Sequence, residues 1–296
     1  MGILTRAIVS PMYSHRTLII VIVALIGCAA MIVALYEPEV LRKVDVGFGF
    51  QSQKISKSKA PPPVSKTLTV IGNATTSFSG SSLERTQNIT EGARRLDGKV
   101  VNDGEEFSLI AALEPLDEGY EYEFVIGSTM SVKEPGGGLC QISTTLFRAL
   151  LDAGLPITER QPHRYVVGYY GAGLDATIYG PHPDLRFKND TGSPITIRAV
   201  VEGTDVRIDL EGISDGRIAS TSAVTLYDNE EKPPLRYFPS AEVPFGTVHC
   251  TEVSREGVTS DVTYSVLYPD GQQVSTVFHS KYQAWPGVCY VGIGVF

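Results

Sequence analysis

The hydrophobic pattern of the chain begins with one long apolar run. Residues Leu18–Tyr36 carry no charge, and a helix of that length spans about 28 Å, close to one hydrocarbon core of a bilayer. Arg6 and Arg16 precede the run, and the positive-inside tendency then favours a cytoplasmic N-terminus. The pattern predicts a single-pass transmembrane helix in the cell membrane that holds the remaining residues outside the cytoplasm.

Two other interpretations of this run stay open. A cleaved signal peptide is disfavoured, because the run is too long and no A-x-A site follows it. Leu25–Cys28 matches a bacterial lipoprotein cleavage box, in which Cys28 would carry lipid. A lipidated cysteine usually starts a polar tether, whereas here the apolar run continues to Tyr36. An uncleaved anchor is therefore the preferred prediction.

The rest of the chain divides by composition into a spacer and two folded parts. Residues 38–66 are rich in Pro, Ser and Lys and lack a periodic apolar face, which is typical of a linker. Strand-like segments and turns follow, and beyond residue 212 the chain has strand and turn signals only. The predicted domains are 1–37 (cytoplasmic segment and transmembrane anchor), 38–66 (linker), 67–212 (main domain) and 213–296 (all-β module).

One segment of the main domain has helical spacing. Apolar residues recur with that period over Leu139–Ala153, and Gly154 is a suitable C-cap. A shorter helix is predicted over Asn88–Leu96, and segments such as Ile195–Val201 and Val206–Leu210 predict antiparallel strands. The predicted fold class is α+β, with a central helix packed on antiparallel strands, preceded by the transmembrane helix and followed by the small all-β module.

Composition and charge exclude some functions. The chain has 296 residues, of which 43% are hydrophobic, so it can form a packed core and is not disordered throughout. The formal net charge is −8, and because no basic face is present to neutralise phosphates, we expect no nucleic-acid partner. The mean hydropathy of +0.03 comes largely from the N-terminal run, so the remainder is more polar than this average suggests.

The candidate chemistry is concentrated in a glycine-rich turn followed by a cysteine. Gly136, Gly137 and Gly138 allow close backbone approach and offer amide donors to a substrate or an oxyanion. Cys140 follows in the first turn of the predicted helix, where unpaired N–H groups and the helix dipole lower the thiol pKa and favour thiolate. Three polar side chains are further candidates for contacting substrate or oxyanion: Gln141, Ser143 and Thr144.

Two residues downstream complete a candidate catalytic triad. His163 and Asp175 follow Cys140 in the order that a papain- or transglutaminase-type site requires, with the histidine as general base and the aspartate as its orienter. Adjacent antiparallel strands would bring the histidine and the aspartate side by side. His182, in a proline-rich loop, is a further candidate for substrate binding.

Other interpretations of these residues stay open. Cys140 could be a buried structural cysteine, and the glycines before it only a tight turn. A metal site of Cys140, His163 and His182 is disfavoured, because no second cysteine stands at ligand spacing. We therefore expect neither a metal nor a cofactor.

The remaining cysteines bear on this choice. Cys250 and Cys289 both lie in the predicted β module and could pair in an oxidising compartment. With Cys28 in the predicted membrane helix, Cys140 is then the single free thiol outside the membrane and a candidate reactive group. A bond between Cys140 and Cys250 would exclude that role.

The glycine–cysteine block, the histidine and the segment Asp175–Thr177 occur in this order together with further marker residues: Arg85, Asn88, Ile89, Gly104, Glu105, Phe107, Ser108, Gly119, Tyr120, Thr145, Leu146, Glu159, Arg160, Asp184, Leu185, Phe187, Asn189, Pro194 and Ile195. In these residues the chain resembles the VanW domain, a family named for an accessory protein of vancomycin-resistance clusters, from about Phe78 to about Glu211. The resemblance implies a bacterial, membrane-anchored protein outside the cytoplasmic membrane, with a place in peptidoglycan biology. It implies no particular reaction.

The C-terminal residues are similar, more weakly, to a glycine-marked wall-adhesion module in Gly257, Thr263, Tyr264, Asp270, Gly271, Tyr282, Pro286, Val291 and Gly292. The two cysteines there depart from the pattern. This resemblance implies binding of amino-sugar polymers, and Trp285 with Tyr282 nearby is the candidate for stacking on a sugar ring. The alternative is that Trp285 lies in the core of the module.

The sequence therefore predicts an extracytoplasmic cell-envelope protein that acts on or binds peptidoglycan or another cell-wall polymer. In its sharper form the prediction is a cysteine hydrolase or transpeptidase with Cys140 as nucleophile, His163 as general base and Asp175 as orienter. The alternative is a non-catalytic wall-binding or scaffold protein with a structural Cys140.

Overall fold

A computed structural model describes residues 67–126 and 131–294 of the chain. The predicted cytoplasmic segment, the apolar run Leu18–Tyr36 and the linker up to residue 66 lie outside the described residues. Across the described part of the chain, no helix is both long enough and apolar enough to cross a membrane. The membrane helix in the predicted fold class is therefore not found there.

The described residues form sixteen strands and three helices. In chain order they are β1 Leu68–Ser77, α1 Leu83–Leu96, β2 Val100–Val101, β3 Glu106–Ser108, α2 Leu109–Leu113, β4 Tyr122–Ile126, β5 Ser131–Pro135, α3 Leu139–Asp152, β6 Ile157–Glu159, β7 Arg186–Lys188, β8 Ile195–Glu202, β9 Asp205–Ile213, β10 Ile218–Thr221, β11 Thr225–Glu230, β12 Arg236–Ser240, β13 Val248–Glu252, β14 Gly257–Leu267, β15 Gln273–Tyr282 and β16 Val288–Gly292.

The main sheet has the strand order β1-β9-β8-β2 and is antiparallel throughout. Its side chains alternate, because Val206, Ile208 and Leu210 of β9 are fully buried while the residues between them are more exposed. Such alternation buries one face of a sheet and leaves the other to solvent. Helix α1 packs against β8, and helix α3 packs against β1 and β9.

Helix α3 lies in the core on nearly all of its sides. Most of its residues are buried, and Leu146, Phe147 and Leu150 are fully so. Phe147 meets Phe278 of β15 edge-on, with ring centroids 5.3 Å apart. The helix is therefore held by the main sheet and by a strand near the C-terminus at the same time.

The C-terminal strands form two further sheets. β15 pairs along β14, and β10 and β11 pair with the other edge of β14. β12, β16 and β13 form a three-stranded sheet, in which a disulfide joins Cys250 to Cys289 with an S–S distance of 2.06 Å. Tyr264 and Val266 of β14 belong to the same hydrophobic core as α3, so this core extends across residue 212, where the sequence pattern predicts a domain boundary.

The predicted fold class is wrong. The described residues are mainly β, and three helices accompany the strands instead of one central helix; α1 has 14 residues, as many as α3. The buried residues of α1 all lie within Asn88–Leu96, whereas the residues of the helix before Asn88 are more exposed. The apolar spacing therefore predicted only this later part of the helix. Strands β3, β6 and β7 have three residues each and pair with one another across long stretches of chain, which leaves no local pattern to detect.

Strand β1 approaches the end of α3 so closely that only glycine fits at one position. The register of β1 with β9 shifts between Val70 and Gly72. A Cβ on Gly72 would lie 2.5 Å from the Ala153 nitrogen and 2.6 Å from the Ala149 carbonyl oxygen. Because both are backbone atoms, strand and helix would have to move apart to accept it.

Gly72→Ala is expected to lower the free energy of unfolding by about 1–3 kcal/mol, because the added methyl overpacks this contact. Urea denaturation measures the change. Gly168→Ala is the control, since its added Cβ meets no atom within 4 Å and should change stability by less than about 0.5 kcal/mol. Equal stability of the two variants would contradict the close approach of β1 to α3.

Candidate active site

Cys140 lies in the first turn of α3, directly after the glycine turn. Gly138 is the N-cap and has a left-handed φ of 119°. A Cβ on Gly138 would come within 3.1 Å of side-chain atoms of both Arg85 and Ile89 on α1. Backbone conformation and close packing therefore both require glycine here. The turn brings the thiol to a helix N-terminus, where the dipole favours thiolate.

The carboxylate of Asp175 binds both the backbone and the ring of His163. The backbone N–H of His163 donates to Asp175 Oδ2 at 2.8 Å, and Nδ1 lies 2.6 Å from the same oxygen. The side chain of His163 is 14% exposed and that of Asp175 is 1% exposed. Since Nδ1 faces the carboxylate, Nε2 is the ring nitrogen left for Cys140.

Polar groups from the segment after Asp175 surround the thiol of Cys140. Its Sγ lies 3.4 Å from Thr177 Oγ1 and 3.6 Å from the carbonyl oxygen of Ile178. The imidazole of His163 is close enough to the sulfur to lower the pKa of the thiol. The structure therefore brings the three predicted triad residues, Cys140, His163 and Asp175, into one connected group.

Thr144 and a backbone bridge hold the surrounding segments together. Thr144 is fully buried, and its hydroxyl lies 3.2 Å from both the carbonyl oxygen and the nitrogen of Ala176. An isolated antiparallel bridge pairs Gln161 with Thr177. The sequence predicted two adjacent strands at this point, whereas loops fixed to α3 carry the histidine and the aspartate.

The environment shifts the pKa values of all three groups toward an ion pair. Burial alone would raise the pKa of the Cys140 thiol, but the hydrogen bond and the charge of His163 lower it to about 7. Burial would lower the pKa of His163, but hydrogen bonds to Asp175 and Cys140 raise it to about 9. Burial also opposes ionisation of Asp175, yet the hydrogen bond from His163 lowers the pKa of this carboxyl. A thiolate–imidazolium pair is therefore favoured between the thiol and imidazole pKa values.

Two further residues hold the carboxylate of Asp175. The sequence pattern assigned neither of them a part in the triad. Tyr282 Oη donates to Asp175 Oδ1 and accepts from the Gly173 nitrogen at 2.7 Å. Arg160 Nη2 lies 3.2 Å from Asp175 Oδ1, and its Nη1 donates to Ser280 Oγ at 2.7 Å. Tyr282 and Ser280 belong to β15. Tyr282 is 107 positions from Asp175 along the chain, so no local signal could have identified its role.

The thiol opens into a groove of about 920 Å³, a volume that suits a peptide- or sugar-sized ligand. Cys140, His163 and Thr177 line it. Five aromatic rings also line the groove: Phe124, Tyr165, Tyr169, Tyr170 and Tyr179. Three of them are largely exposed, namely Phe124, Tyr169 and Tyr179.

Only part of the predicted substrate- and oxyanion-binding set lines this groove. Gly136 and Gly138 do, and the following do not: Gly137, Gln141, Ser143, Thr144 and His182. Gln141 is fully buried, and its Nε2 donates to Thr76 Oγ1 at 2.8 Å and to the Ser77 carbonyl at 2.9 Å. Both of its amide hydrogens are thus engaged away from the groove, which does not fit an oxyanion-binding role.

Ser143 and His182, the other two predicted residues, have surroundings that do not fit substrate binding. Ser143 is fully buried, and its hydroxyl has no hydrogen-bond partner among the described residues. The side chain of His182 is 69% exposed and contacts Glu159 at 3.3 Å. Within the described part of the chain, no group of three or more His, Cys, Asp or Glu side chains is arranged to hold a metal ion.

The predicted carbohydrate-stacking residues are buried. Trp285 is 5% exposed, its Nε1 donates to Glu252 at 2.7 Å, and its ring meets Tyr165 edge-on. Tyr282 is 1% exposed and is bonded to Asp175. Neither ring has an open face for a sugar, so the structure does not support the stacking prediction.

Residues 84–211 match the family model described as VanW like protein. This match covers the glycine turn, Cys140, His163 and Asp175. The chain therefore contains a VanW-like domain, which confirms the resemblance predicted from the sequence.

Two curated bacterial proteins are similar to the chain. "Uncharacterized protein YoaR" of Bacillus subtilis (strain 168) is 37% identical over 142 residues, which cover 47% of this chain and 47% of that protein. "Vancomycin B-type resistance protein VanW" of Enterococcus faecalis (strain ATCC 700802 / V583) is 31% identical over 113 residues, 35% of this chain and 40% of that protein. The chain thus spans about half the length, or less, of these curated relatives.

One solved structure, a crystal structure of HP0197-G5, aligns with 26% of this chain and 97% of its own at 12% identity, with a TM-score of 0.14. A TM-score this low carries no argument about fold or function. The resemblance of the C-terminal residues to a wall-adhesion module therefore stays a prediction.

Cys140 is expected to react with iodoacetamide at neutral pH, with a rate that rises through a midpoint near the thiol pKa of about 7, because thiolate is the reactive form. His163→Ala should move the midpoint up toward about 8.5, the value of an unperturbed cysteine, since the imidazolium that stabilises the thiolate is lost. Peptide mapping follows the modification of Cys140. His182→Ala is the control and should leave the midpoint unchanged. The same midpoint in His163→Ala and the wild type would contradict the ion pair.

Tyr282→Phe should shift this midpoint upward by up to about one pH unit, because Asp175 loses a hydrogen bond and holds the imidazolium less firmly. Tyr264→Phe is the matched control: its buried hydroxyl donates to the Leu155 carbonyl at 3.2 Å, and its loss should cost similar stability, about 1–3 kcal/mol. An unshifted midpoint in Tyr282→Phe would mean that the hydroxyl does not position the carboxylate.

Proposed function

We propose that this protein is an extracytoplasmic cell-envelope enzyme in which Cys140 transfers acyl groups of peptidoglycan peptides, by hydrolysis or transpeptidation. The observation that carries the proposal is the grouping of the Cys140 thiol, the His163 ring that lowers its pKa, and the Asp175 carboxylate bonded to that ring. This group adjoins an open groove of about 920 Å³. A nucleophile, a base and an orienting group within reach of a groove are the parts that thiol acyl transfer needs.

Each residue of the triad has a defined task in this chemistry. The thiolate of Cys140 attacks an amide carbonyl carbon and forms a thioester. His163 gives its Nε2 proton to the leaving amine and takes a proton from the water or amine that resolves the thioester. Asp175 keeps the imidazole in the orientation and tautomer that both steps require.

The disulfide supports a location outside the cytoplasm. Disulfides persist in oxidising compartments and are rare where thiols are kept reduced. Cys250 and Cys289 are bonded, whereas Cys140 is free. A cysteine that stays free while the other described cysteines are bonded also suits a reactive role.

The relatives support a cell-wall context. One of them is named as a vancomycin B-type resistance protein, and the VanW resemblance implies a place in peptidoglycan biology. We therefore propose peptidoglycan as the polymer that this protein meets.

A second candidate is a non-catalytic wall-binding protein with a structural Cys140. The groove itself favours it, because the exposed rings of Phe124, Tyr169 and Tyr179 line the groove and would suit a flat ligand without any reaction. The two candidates differ in whether wall fragments are changed or only retained.

Incubation of the full-length protein with purified muropeptides is expected to give hydrolysed or cross-linked products, which liquid chromatography with mass spectrometry identifies. Cys140→Ala should lower their rate by about 10⁴-fold or more, because the nucleophile is lost. His182→Ala is the matched control on an exposed side chain and should retain activity. Wall fragments that bind but stay unchanged with the wild type would overturn the enzyme proposal in favour of the binding protein.

A further inference from the structure

One buried hydroxyl in the groove lacks a hydrogen-bond partner. Tyr170 is 8% exposed, and its Oη has no partner among the described residues. A few other buried side-chain atoms in the described part of the chain also lack such a partner. Among them, only the Tyr170 hydroxyl belongs to a residue that lines the groove. A carbonyl or oxyanion of a ligand in the groove would accept a hydrogen bond from this hydroxyl, which satisfies a buried polar group.

Tyr170 lies close to the proposed reacting groups. Its ring centroid is 5.5 Å from that of His163. Burial above all, then the charge of Tyr169 and that of Cys140, raises the pKa of Tyr170 well above its usual value. Arg148 fixes the loop, because it donates to the carbonyl oxygens of Tyr170 and Leu174, both at 2.8 Å. The phenol is therefore a protonated donor in a fixed position at neutral pH.

Several other donors around the start of α3 are already engaged. Both amide hydrogens of Gln141 bind acceptors away from the groove. In the glycine turn, the Leu139 nitrogen donates to the Gly136 carbonyl at 3.0 Å, and the Gln141 nitrogen donates to the Gly138 carbonyl at 2.9 Å. The Tyr170 hydroxyl has no partner with hydrogen-bond geometry among the described residues, and hydrogen bonding toward the Tyr169 side chain makes only the smallest contribution to its raised pKa.

We propose that Tyr170 is a catalytic residue whose hydroxyl donates a hydrogen bond to the oxyanion formed when Cys140 attacks an acyl carbonyl. This assignment rests on the proposed function. A donor aimed at the developing negative charge stabilises the transition state more than the ground state, which is what accelerates the step.

The step balances as follows. The Cys140 thiolate forms the new C–S bond, and the carbonyl π pair moves onto oxygen, where the Tyr170 hydroxyl binds it. When the C=O bond re-forms, the bond to the leaving group breaks. An amine leaves with the proton of His163 Nε2, whereas a stable phenolate leaves without one. Tyr170 keeps its proton throughout.

Two reagents separate this role from an effect on the thiol itself. Acylation of Cys140 by p-nitrophenyl acetate passes through an oxyanion, whereas alkylation by iodoacetamide does not. In the full-length protein, Tyr170→Phe should slow acetylation of Cys140 on the order of 100-fold and leave its alkylation rate and pH midpoint unchanged. Released p-nitrophenolate gives the rate, Cys140→Ser gives the background, and peptide mapping locates the acetyl group.

Tyr120→Phe is the matched control, because its buried hydroxyl donates to the Leu113 carbonyl at 3.1 Å outside the groove; it should acetylate like the wild type. Equal acetylation rates in Tyr170→Phe and the wild type overturn the assignment while the proposed function stands. A parallel loss of acetylation and alkylation also overturns it, since Tyr170 would then act on the thiolate. If wild-type Cys140 is alkylated but never acetylated, the proposed function fails and the assignment fails with it.

Discussion

A single buried carboxylate, that of Asp175, determines the geometry of the site. Its side chain is 1% exposed, and an ionised carboxylate is tolerated in such a position only when hydrogen bonds replace its lost hydration. The partners come from separate parts of the chain: His163 in a loop, Arg160 after β6 and Tyr282 in β15. Removing one of them leaves a buried charge short of a bond, so these segments have to come together for the site to form.

The same carboxylate explains why a partly buried thiol ionises readily. Asp175 makes the imidazole of His163 more basic, and the imidazolium in turn stabilises the Cys140 thiolate against the cost of burial. The negative carboxylate of Asp175, the positive imidazolium of His163 and the negative thiolate of Cys140 thus follow one another from the protein interior to the groove. The helix N-terminus at Cys140 adds to this order, because its dipole favours the negative end of the series.

Features that depend on near neighbours in the chain could be predicted from the sequence, and features that depend on distant pairing could not. The glycine turn, the helix after it and the position of Cys140 in its first turn follow from local spacing. The part of Tyr282 in holding Asp175 does not, since an aromatic residue beside Trp285 suggested sugar binding as readily as burial. The fold class failed for the same reason, because three-residue strands such as β3 and β6 exist only through partners far along the chain.

The position of Tyr282 ties the chemistry of the thiol to the completion of the chain. Cys140 and His163 are synthesised well before β15, but the tyrosine that holds their carboxylate lies 107 positions beyond Asp175. A nascent or truncated chain that ends before β15 has the cysteine and the histidine without the full set of bonds that fixes Asp175. The low pKa of the thiol is thus a property of the finished fold, because a chain without β15 lacks the Tyr282 hydroxyl that helps to hold Asp175.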